Sequence, residues 1–312
     1  MRKGAQRRSR MLGDDTFFSP SHPAMSEEER VTISAYIEKQ FGIKMPEAKK
    51  ALLAGRLAKR LRTTGARSFG EYFDFIHTPQ GADEYTFFID LVSTHETSFF
   101  REPAHYEYLL TAALPALHAA GAGTRRELRI LSAACSSGEE IYSAACVVEE
   151  FARLKGLRDF RYSLTGTDVS SHVIRKAARG IYKAQAIAKV PSYARRCFMR
   201  SRDPSSEQIR VVPEIREKAS FMQMNLLDRS FPFDLPFDIV FCRNVMIYFD
   251  RPTQEKVSAL LCRYIVDGGY FLVGHSESMI GFNLPIRSVA PATYIVSHSR
   301  ISGLPKAEEA ES

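Results

Sequence analysis

The feature that most constrains the fold of this chain is the stretch 238–250. Its apolar run, 239–242, is typical of a strand buried on both faces, as in a parallel sheet covered by helices. The polar residues Arg243 and Asn244 stand where that strand should end. Ligands of open α/β sheets bind beyond the carboxyl ends of the strands, so we expect these two side chains to lie at a ligand site.

Two earlier segments fit the same sheet. A predicted strand at 128–132 leads into a turn of small residues, 133–138, and Glu140 then lies in the first turn of a helix. Such a turn lets a ligand approach the backbone and face the helix N-terminus. A second strand, 162–167, ends at Asp168, where a carboxylate can accept hydrogen bonds from ribose hydroxyls. The alternative for Asp168 is a helix N-cap.

The remaining elements divide the chain into regions. Further strands are predicted at 225–227, 237–242 and 270–273, with a helix at 253–266 and a closing hairpin at 286–297. Apolar positions at helical spacing and two capping boxes predict an all-α region before residue 94. The predicted regions are a disordered basic tail 1–25, a helical domain 26–93, a linker and connecting helix 94–127, an α/β domain 128–298 with an antiparallel β subdomain inserted at 181–224, and a C-terminal tail 299–312. Three short strands, 197–200, 208–212 and 219–224, are predicted for that subdomain.

Composition excludes several classes of protein. No apolar run approaches the roughly 18 residues of a membrane span, and the N-terminus lacks the apolar segment of a signal peptide, so we expect a cytoplasmic protein. The five cysteines are widely spaced and contain no C-x-x-C pair, which predicts reduced thiols and no metal site. Five cations in the first ten residues contribute much of the net charge of +7, and contact of this tail with nucleic acid or membrane stays open.

The predicted helix at 47–62 is strongly basic outside its apolar stripe. This helix carries six cations and a single acid, Glu47. A solvated cationic surface is one interpretation. The other is a docking surface for an acidic partner helix or for nucleic acid.

Two longer blocks of the sequence resemble the CheR family of chemotaxis-receptor glutamate methyltransferases. They are the strand-end block 241–250, FCRNVMIYFD, and the turn block 132–143, SAACSSGEEIYS. Shorter matches are TSFFR at 97–101, GTDV at 166–169, NLL at 225–227 and GHSES at 274–278. The resemblance covers residues 26–298.

The resemblance implies a Rossmann-like class I methyltransferase domain behind an N-terminal all-α domain. Such an enzyme takes a methyl group from S-adenosylmethionine, releases S-adenosylhomocysteine, and forms methyl esters on receptor glutamates. Carried over by motif position, the cofactor contacts are His95, Thr97, Arg101, Glu140, Asp168, Asn225, Leu226, Arg243 and Asn244. The family usually has Asn in place of His95, and either side chain can form a hydrogen bond.

The chemistry implied by the resemblance needs no general base, because a glutamate with a reference pKa near 4.3 is already an anion at neutral pH. We therefore expect alignment and removal of water to supply the catalysis. Arg101 is predicted to orient the incoming carboxylate, and Tyr248 to donate a hydrogen bond beside the methyl group.

The resemblance also suggests partners. Arg56, Lys59 and Arg60 on the basic helix are predicted to dock the acidic helices of membrane chemoreceptors, which would recruit the enzyme to receptor arrays. The inserted β subdomain resembles the place where some members bind a receptor C-terminal peptide, and a monomer is expected. Open alternatives are a cofactor-binding scaffold or sensor of the same fold, and a methyltransferase acting on another protein or on nucleic acid. A nucleotide-dependent oxidoreductase would use the same topology, but the turn 133–138 has only one glycine and the chain has no second dinucleotide-binding half, which argues against it.

Overall fold

The computed structural model describes residues 24–298 except Pro204, with the backbone alone at Lys49 and Lys50. The predicted C-terminal tail, 299–312, and nearly all of the predicted basic tail lie outside the described residues. Met25 is described, and its side chain is only 4% exposed because it packs among the N-terminal helices. The packed helical part therefore begins before residue 26, the predicted boundary.

Four α-helices build the N-terminal part: α1 (Glu27–Phe41), α2 (Lys50–Thr64), α3 (Phe69–Phe75) and α4 (Ala82–Val92). α1 begins with the predicted capping box. The Ser26 hydroxyl accepts a hydrogen bond from the Glu29 N–H, and the Glu29 carboxylate accepts one from the Ser26 N–H. These bonds satisfy N–H groups that the start of a helix leaves unpaired. Apolar side chains of all four helices share one core, which confirms the all-α N-terminal part.

Strands and helices alternate in the rest of the described chain. The connection is made by α5 (Pro103–Tyr108), the π-helical turn Leu109–Ala113 and α6 (Leu114–Ala119). The strands are β1 (Leu128–Ala133), β2 (Tyr162–Asp168), β3 (Ile181–Lys183), β4 (Phe198–Arg200), β5 (Gln208–Val211), β6 (Ala219–Gln223), β7 (Phe237–Cys242), β8 (Ile265–Val273), β9 (Ile286–Ala290) and β10 (Thr293–Val296). The helices among them are α7 (Glu139–Lys155), α8 (Ser171–Arg179), α9 (Pro213–Arg216) and α10 (Arg251–Cys262).

Seven strands form one mixed sheet in the order β6-β2-β1-β7-β8-β10-β9. Neighbours from β6 to β8 run parallel, and β10 pairs antiparallel with both β8 and β9. Two apolar cores cover the two faces of the sheet, so the central strand β7 is buried along its whole length. The Rossmann-like fold class is confirmed, and so is the strand predicted at 237–242.

The small antiparallel sheet differs from the prediction in one strand. It consists of β3, β5 and β4 in that order. The segment predicted as its third strand forms β6 instead, and it pairs in parallel with β2 from Leu164 opposite Ala219 to Asp168 opposite Gln223. Strand propensity predicts an extended backbone but does not predict which strand it pairs with. Here the segment pairs with β2 at the edge of the main sheet.

Two boundaries near the sheet ends also differ. The predicted strand 225–227 is a turn, because the Asn225 side-chain oxygen accepts the Leu227 N–H (3.0 Å) and replaces strand pairing locally. The predicted helix 253–266 ends at Cys262, and β8 begins at Ile265 rather than at residue 270. Its glycine pair lies inside the strand, where the pairing with β7 shifts register.

The helical bundle contacts the sheet at the carboxyl ends of the strands. The Asn225 side-chain amide donates to the Gln40 carbonyl (2.7 Å), and Gly42 packs on Phe249 so closely that a Cβ there would lie 2.7 Å from the ring. The left-handed φ of 71° at Gly42 ends α1 at this contact. Among residues 24–298, Pro204 excepted, no helix is long and apolar enough to cross a membrane.

Candidate functional site

The predicted site residues line one cleft at the carboxyl ends of β1, β2 and β7. Its wall includes all nine predicted cofactor contacts and Tyr248. The bundle side contributes Phe41 and Ile43, and the segment 93–98 supplies another part of the wall. The topology thus brings together residues that are up to about 150 positions apart in the chain, as the strand-end rule predicts. Their individual roles stay predictions.

The turn after β1 has an unusual backbone. Ala134 and Ser136 have left-handed φ values of 65° and 50°, and Gly138 follows at 93°. Left-handed alanine and serine are uncommon and strained, so the surrounding contacts must hold them. One such contact joins the Ser136 N–H to the Asp168 carboxylate (3.0 Å), and another joins the Cys135 N–H to the Thr167 carbonyl (2.7 Å).

Asp168 lies at the end of β2 and is 6% exposed. Its Oδ2 accepts from the Ser136 N–H and its Oδ1 from the Ser170 N–H, each at 3.0 Å. Helix α8 is capped by the Ser170 hydroxyl, so Asp168 is not its N-cap. Burial raises the pKa of Asp168, although both N–H donors act in the opposite direction. Each carboxylate oxygen keeps a second lone pair for a ligand donor.

Arg243 is the most enclosed cation of the cleft, with 5% exposure. Nη1 donates to Glu140 (3.0 Å) and to the Tyr106 hydroxyl (3.3 Å). Nη2 donates to Glu102 (2.9 Å) and to the Arg101 carbonyl (2.6 Å). Both terminal nitrogens are therefore engaged by the protein, whereas the buried Nε has no hydrogen-bond partner among the described residues.

The two carboxylates beside Arg243 respond differently to their surroundings. Burial raises the pKa of Glu140, even though Arg243 and the Ser132 hydroxyl (2.7 Å) both lower it. Burial also acts to raise the pKa of Glu102, but hydrogen bonds from Arg243 and Asn244 outweigh it and leave that pKa below its usual value. Glu102 was missed in the sequence, although it directly follows Arg101.

The segment 94–101 crosses the cleft and is fixed by its aromatic pair. Phe99 and Phe100 are each 7% exposed, and the Phe100 N–H donates to the Ser143 hydroxyl (2.9 Å). Arg101 is partly exposed, and its Nη1 donates to the Glu96 carbonyl (3.0 Å). His95 accepts the Ser136 hydroxyl through its carbonyl (2.9 Å), and its buried Nε2 has no partner among the described residues.

Asn244 and Tyr248 follow the end of β7. Asn244 has a left-handed φ of 57°, which directs its amide to Glu102 (3.2 Å). Tyr248 closes a short 3-10 turn, Met246–Tyr248, and its side chain is half-buried. Within the described part of the chain, the Tyr248 hydroxyl makes no hydrogen bond, so it is available to a ligand. A second carboxylate missed in the sequence, Glu277, accepts the Asn244 N–H (3.0 Å).

The predicted docking cations on α2 differ in how free they are. Arg56 donates to the Leu91 carbonyl (3.0 Å), and Arg60 forms a two-pronged ion pair with the buried Glu84. Lys59 is exposed and has no ion-pair partner among residues 24–298, Pro204 excepted. Part of the basic surface thus has a structural role in holding α2 against α4. Its docking role stays a prediction.

One group in the described chain has the residue types of a metal site: Glu102, His105 and His275. Their ligand atoms lie within 4.8 Å of one another. The Glu102 carboxylate, however, already accepts from Arg243 and Asn244, and a metal ion there would lie against the Arg243 guanidinium. The arrangement suits a carboxylate held by cation and amide donors better than a metal ligand.

Comparisons with known proteins agree on one family. The family described as CheR methyltransferase, SAM binding domain, matches residues 95–295, and its CheR methyltransferase all-alpha domain matches residues 29–93. A chemotaxis protein methyltransferase of Borreliella burgdorferi is 34% identical over 86% of this chain and 94% of its own length. Chemotaxis protein methyltransferase 2 of Pseudomonas aeruginosa is 35% identical over 81% and 87%. A chemotaxis protein methyltransferase of Escherichia coli is 34% identical over 82% and 86%.

Proposed function

Because the chain belongs to the CheR methyltransferase family, we propose that it methylates glutamate side chains in the cytoplasmic helices of membrane chemoreceptors. The chain is an S-adenosylmethionine-dependent methyltransferase of chemotaxis. The observation that carries the finer proposal is the convergence of every predicted contact on one cleft at the strand ends. The products are a glutamyl methyl ester and S-adenosylhomocysteine.

The cleft fits a polar, cationic nucleoside cofactor. Asp168 offers free carboxylate lone pairs for ribose hydroxyls, and Leu226 supplies an apolar wall on the adenine side. The buried Nε of Arg243 and Nε2 of His95 are polar atoms without a hydrogen-bond partner in the described part of the chain. Buried polar atoms are costly without partners, so a ligand that supplies those partners gains affinity. Arg243, Glu140 and Asn244 would hold the methionyl portion.

The chain needs to supply orientation rather than acid or base chemistry. S-adenosylmethionine supplies a methyl group that its sulfonium already activates. The acceptor glutamate is an anion at neutral pH, so the site residues have to align it and exclude water. The half-buried Tyr248 and the partly exposed Arg101 are suited to this. Among the described residues, the Tyr248 hydroxyl makes no hydrogen bond, and the Arg101 guanidinium has donors beyond its bond to the Glu96 carbonyl. Arg101 would orient the carboxylate.

The proposed reaction has a direct test. The purified chain is incubated with methyl-labelled S-adenosylmethionine and receptor-enriched membranes, and the labelled protein is then treated with mild base. We expect label in the receptor band and its release as methanol, because carboxyl methyl esters hydrolyse in base. A base-stable product would indicate N-methylation and would contradict the ester assignment.

Docking of the receptor is proposed on the basic face of α2. Lys59 supports this role because it is exposed and unpaired in the described chain, and Arg56 and Arg60 extend the positive surface beside it. Such a surface attracts an acidic helix, and the attraction weakens as salt screens it. The role of Arg60 is the smaller one, because Glu84 neutralises its charge.

A tether to the receptor is proposed at the small sheet. β3 and β4 form its edges, and each lacks a second strand partner in the described chain. An edge strand can accept an extended peptide, such as a receptor C-terminus. Binding of that peptide would recruit a monomeric enzyme to membrane receptor arrays, and titration of a labelled receptor C-terminal peptide would measure it. No shift of the peptide signal at saturating protein would contradict the tether.

A further inference from the structure

Glu277 lies in the GHSES motif at 274–278, to which the proposed function assigns no role. Its side chain is 7% exposed, and its carboxylate accepts hydrogen bonds from backbone N–H groups. Oε2 accepts from Asn244 (3.0 Å) and Gly274 (2.6 Å), and Oε1 accepts from Met246 (2.8 Å). The Ile247 N–H also lowers the pKa of this carboxylate. A single side chain therefore binds the strand end and the turn that follows it.

The segment 244–248 needs such an acceptor because its backbone is irregular. Asn244 is left-handed, and the 3-10 turn Met246–Tyr248 follows at once. In this conformation the N–H groups of residues 244 and 246 both reach the Glu277 carboxylate, one at each oxygen. Convergent backbone N–H groups form a concavity that binds an anion. The Glu277 carboxylate fills this concavity from within the chain.

Gly274 is fitted to the same contact. A Cβ at this position would lie 2.7 Å from the Asn244 Nδ2 and 2.9 Å from the Glu277 Oε2. Both distances are shorter than real Cβ contacts, so a larger residue would push Asn244 or Glu277 out of place. Gly274 and Glu277, the first and fourth residues of the motif, are therefore both fitted to the contact with Asn244.

We propose that Glu277 is a positioning residue that holds the segment 244–248 in the conformation presenting Asn244 and Tyr248 to the cofactor cleft. Asn244 and Tyr248 both line the cleft, whereas Glu277 does not. Glu277 therefore acts through the backbone of the segment and not by touching the cofactor. This inference rests on the proposed function and deepens it by assigning the motif.

Replacing Glu277 by the neutral Gln, which has the same size, separates an effect on the position of the segment 244–248 from an effect on the stability of the fold. Burial raises the pKa of Glu277, although the surrounding backbone N–H groups act to lower it, so the carboxylate is held at a cost of desolvation. Glu277→Gln removes that cost and keeps the volume. It also replaces one accepting oxygen by an NH₂ group. This group faces backbone N–H donors and cannot accept hydrogen bonds from them. The segment must then shift while the fold loses little.

The test measures the affinity of the chain for S-adenosylhomocysteine by calorimetry, together with the unfolding midpoint in urea without ligand. Glu277→Gln should weaken binding at least tenfold. Glu150→Gln is the matched control, since Glu150 is a carboxylate of similar exposure (5%) that pairs with Arg153 and Arg196 and does not line the cleft. It should change binding less than twofold. Binding by Glu277→Gln within twofold of wild type would overturn the proposal.

A double-mutant cycle shows whether Glu277 acts through the segment. Asn244→Gly deletes the amide and tolerates the left-handed backbone. If positioning is the role, Glu277→Gln should weaken binding at least threefold less in the Asn244→Gly background than in wild type. Fully additive losses would contradict it.

Two further outcomes are distinguishable. If Glu277→Gln is recovered unfolded, Gly274→Ala disturbs the same contact from the other side and should weaken binding at least tenfold; unchanged binding would refute the proposal. If the wild-type chain itself does not bind S-adenosylhomocysteine, the proposed function fails. If wild type binds and the variants bind equally well, the positioning role alone fails.

Discussion

Replacing Arg243 by Met should separate the electrostatic role of this residue from its volume. The substitution keeps a long side chain at a position that is 5% exposed but removes the guanidinium shared by Glu102 and Glu140. Two carboxylates 2.9 and 3.0 Å from that guanidinium then lose their only ion-pair partner of fixed charge in the described chain. Removing one member of a buried ion pair typically costs about 3–5 kcal/mol. We expect a loss of that size in the free energy of unfolding.

The pH dependence of this loss gives the sharper test. Burial already raises the pKa of Glu140, and Arg243 acts with the Ser132 hydroxyl to lower it, so the pKa rises further in Arg243→Met. A carboxyl group with a raised folded-state pKa takes up its proton more readily when folded, which favours the folded state as pH falls. The difference in the free energy of unfolding between the variant and wild type should therefore become smaller as the pH is lowered from 8 to 6.

Urea unfolding at pH 6, 7 and 8 measures the deficit, with Arg153→Met as the matched control. Arg153 pairs with Glu150 on α7, but its side chain is 56% exposed. Solvent screens such a pair, so the control should lose little stability and show no pH trend of this kind. A deficit in Arg243→Met that stays constant from pH 6 to pH 8 would refute the argument, because it would mean that the two carboxylates do not respond to the missing charge.

Three further predictions concern the cleft and α2. Asp168→Asn should weaken S-adenosylhomocysteine binding about tenfold or more in calorimetry, since a charged acceptor for ribose hydroxyls is lost; unchanged affinity would remove Asp168 from the site. Arg101→Ala should lower turnover at saturating receptor about tenfold or more, because the acceptor carboxylate loses its cation, and near-normal turnover would contradict this. Lys59→Glu should raise the receptor KM at low salt and converge with wild type at high salt. The control Arg60→Glu should instead lower the unfolding midpoint, because it places a second carboxylate against Glu84.

The parts of the fold that depend on local physics could be predicted from the sequence. The unbroken apolar run before Arg243 fixed β7, since a strand buried on both faces has few alternatives. The Ser26 and Glu29 pair located the start of α1, because a capping box satisfies specific N–H groups. The strand-end rule then placed distant residues in one cleft.

The choice between partners could not be predicted. β6 joined the main sheet rather than the small one, because the open edge of β2 is a tertiary feature that strand propensity does not encode. Asn225 turned a predicted strand into a turn through a single side-chain bond. Glu102 and Glu277 form hydrogen bonds with cleft residues that are far from them in the sequence, so no local pattern indicates these contacts. The ion pair between Arg60 and Glu84 joins two different helices and could not be predicted for the same reason.

The contact between Gly42 and Phe249 has a thermodynamic consequence for the whole chain. The cleft has one wall from the helical bundle and the others from the sheet, so a ligand in it binds tightly only while both parts are folded and in contact. Binding to the assembled state alone stabilises that state by mass action. A higher cofactor concentration should therefore make separation of the bundle from the sheet less frequent. The protease sensitivity of α1 would then measure the occupancy of a site that other elements largely form.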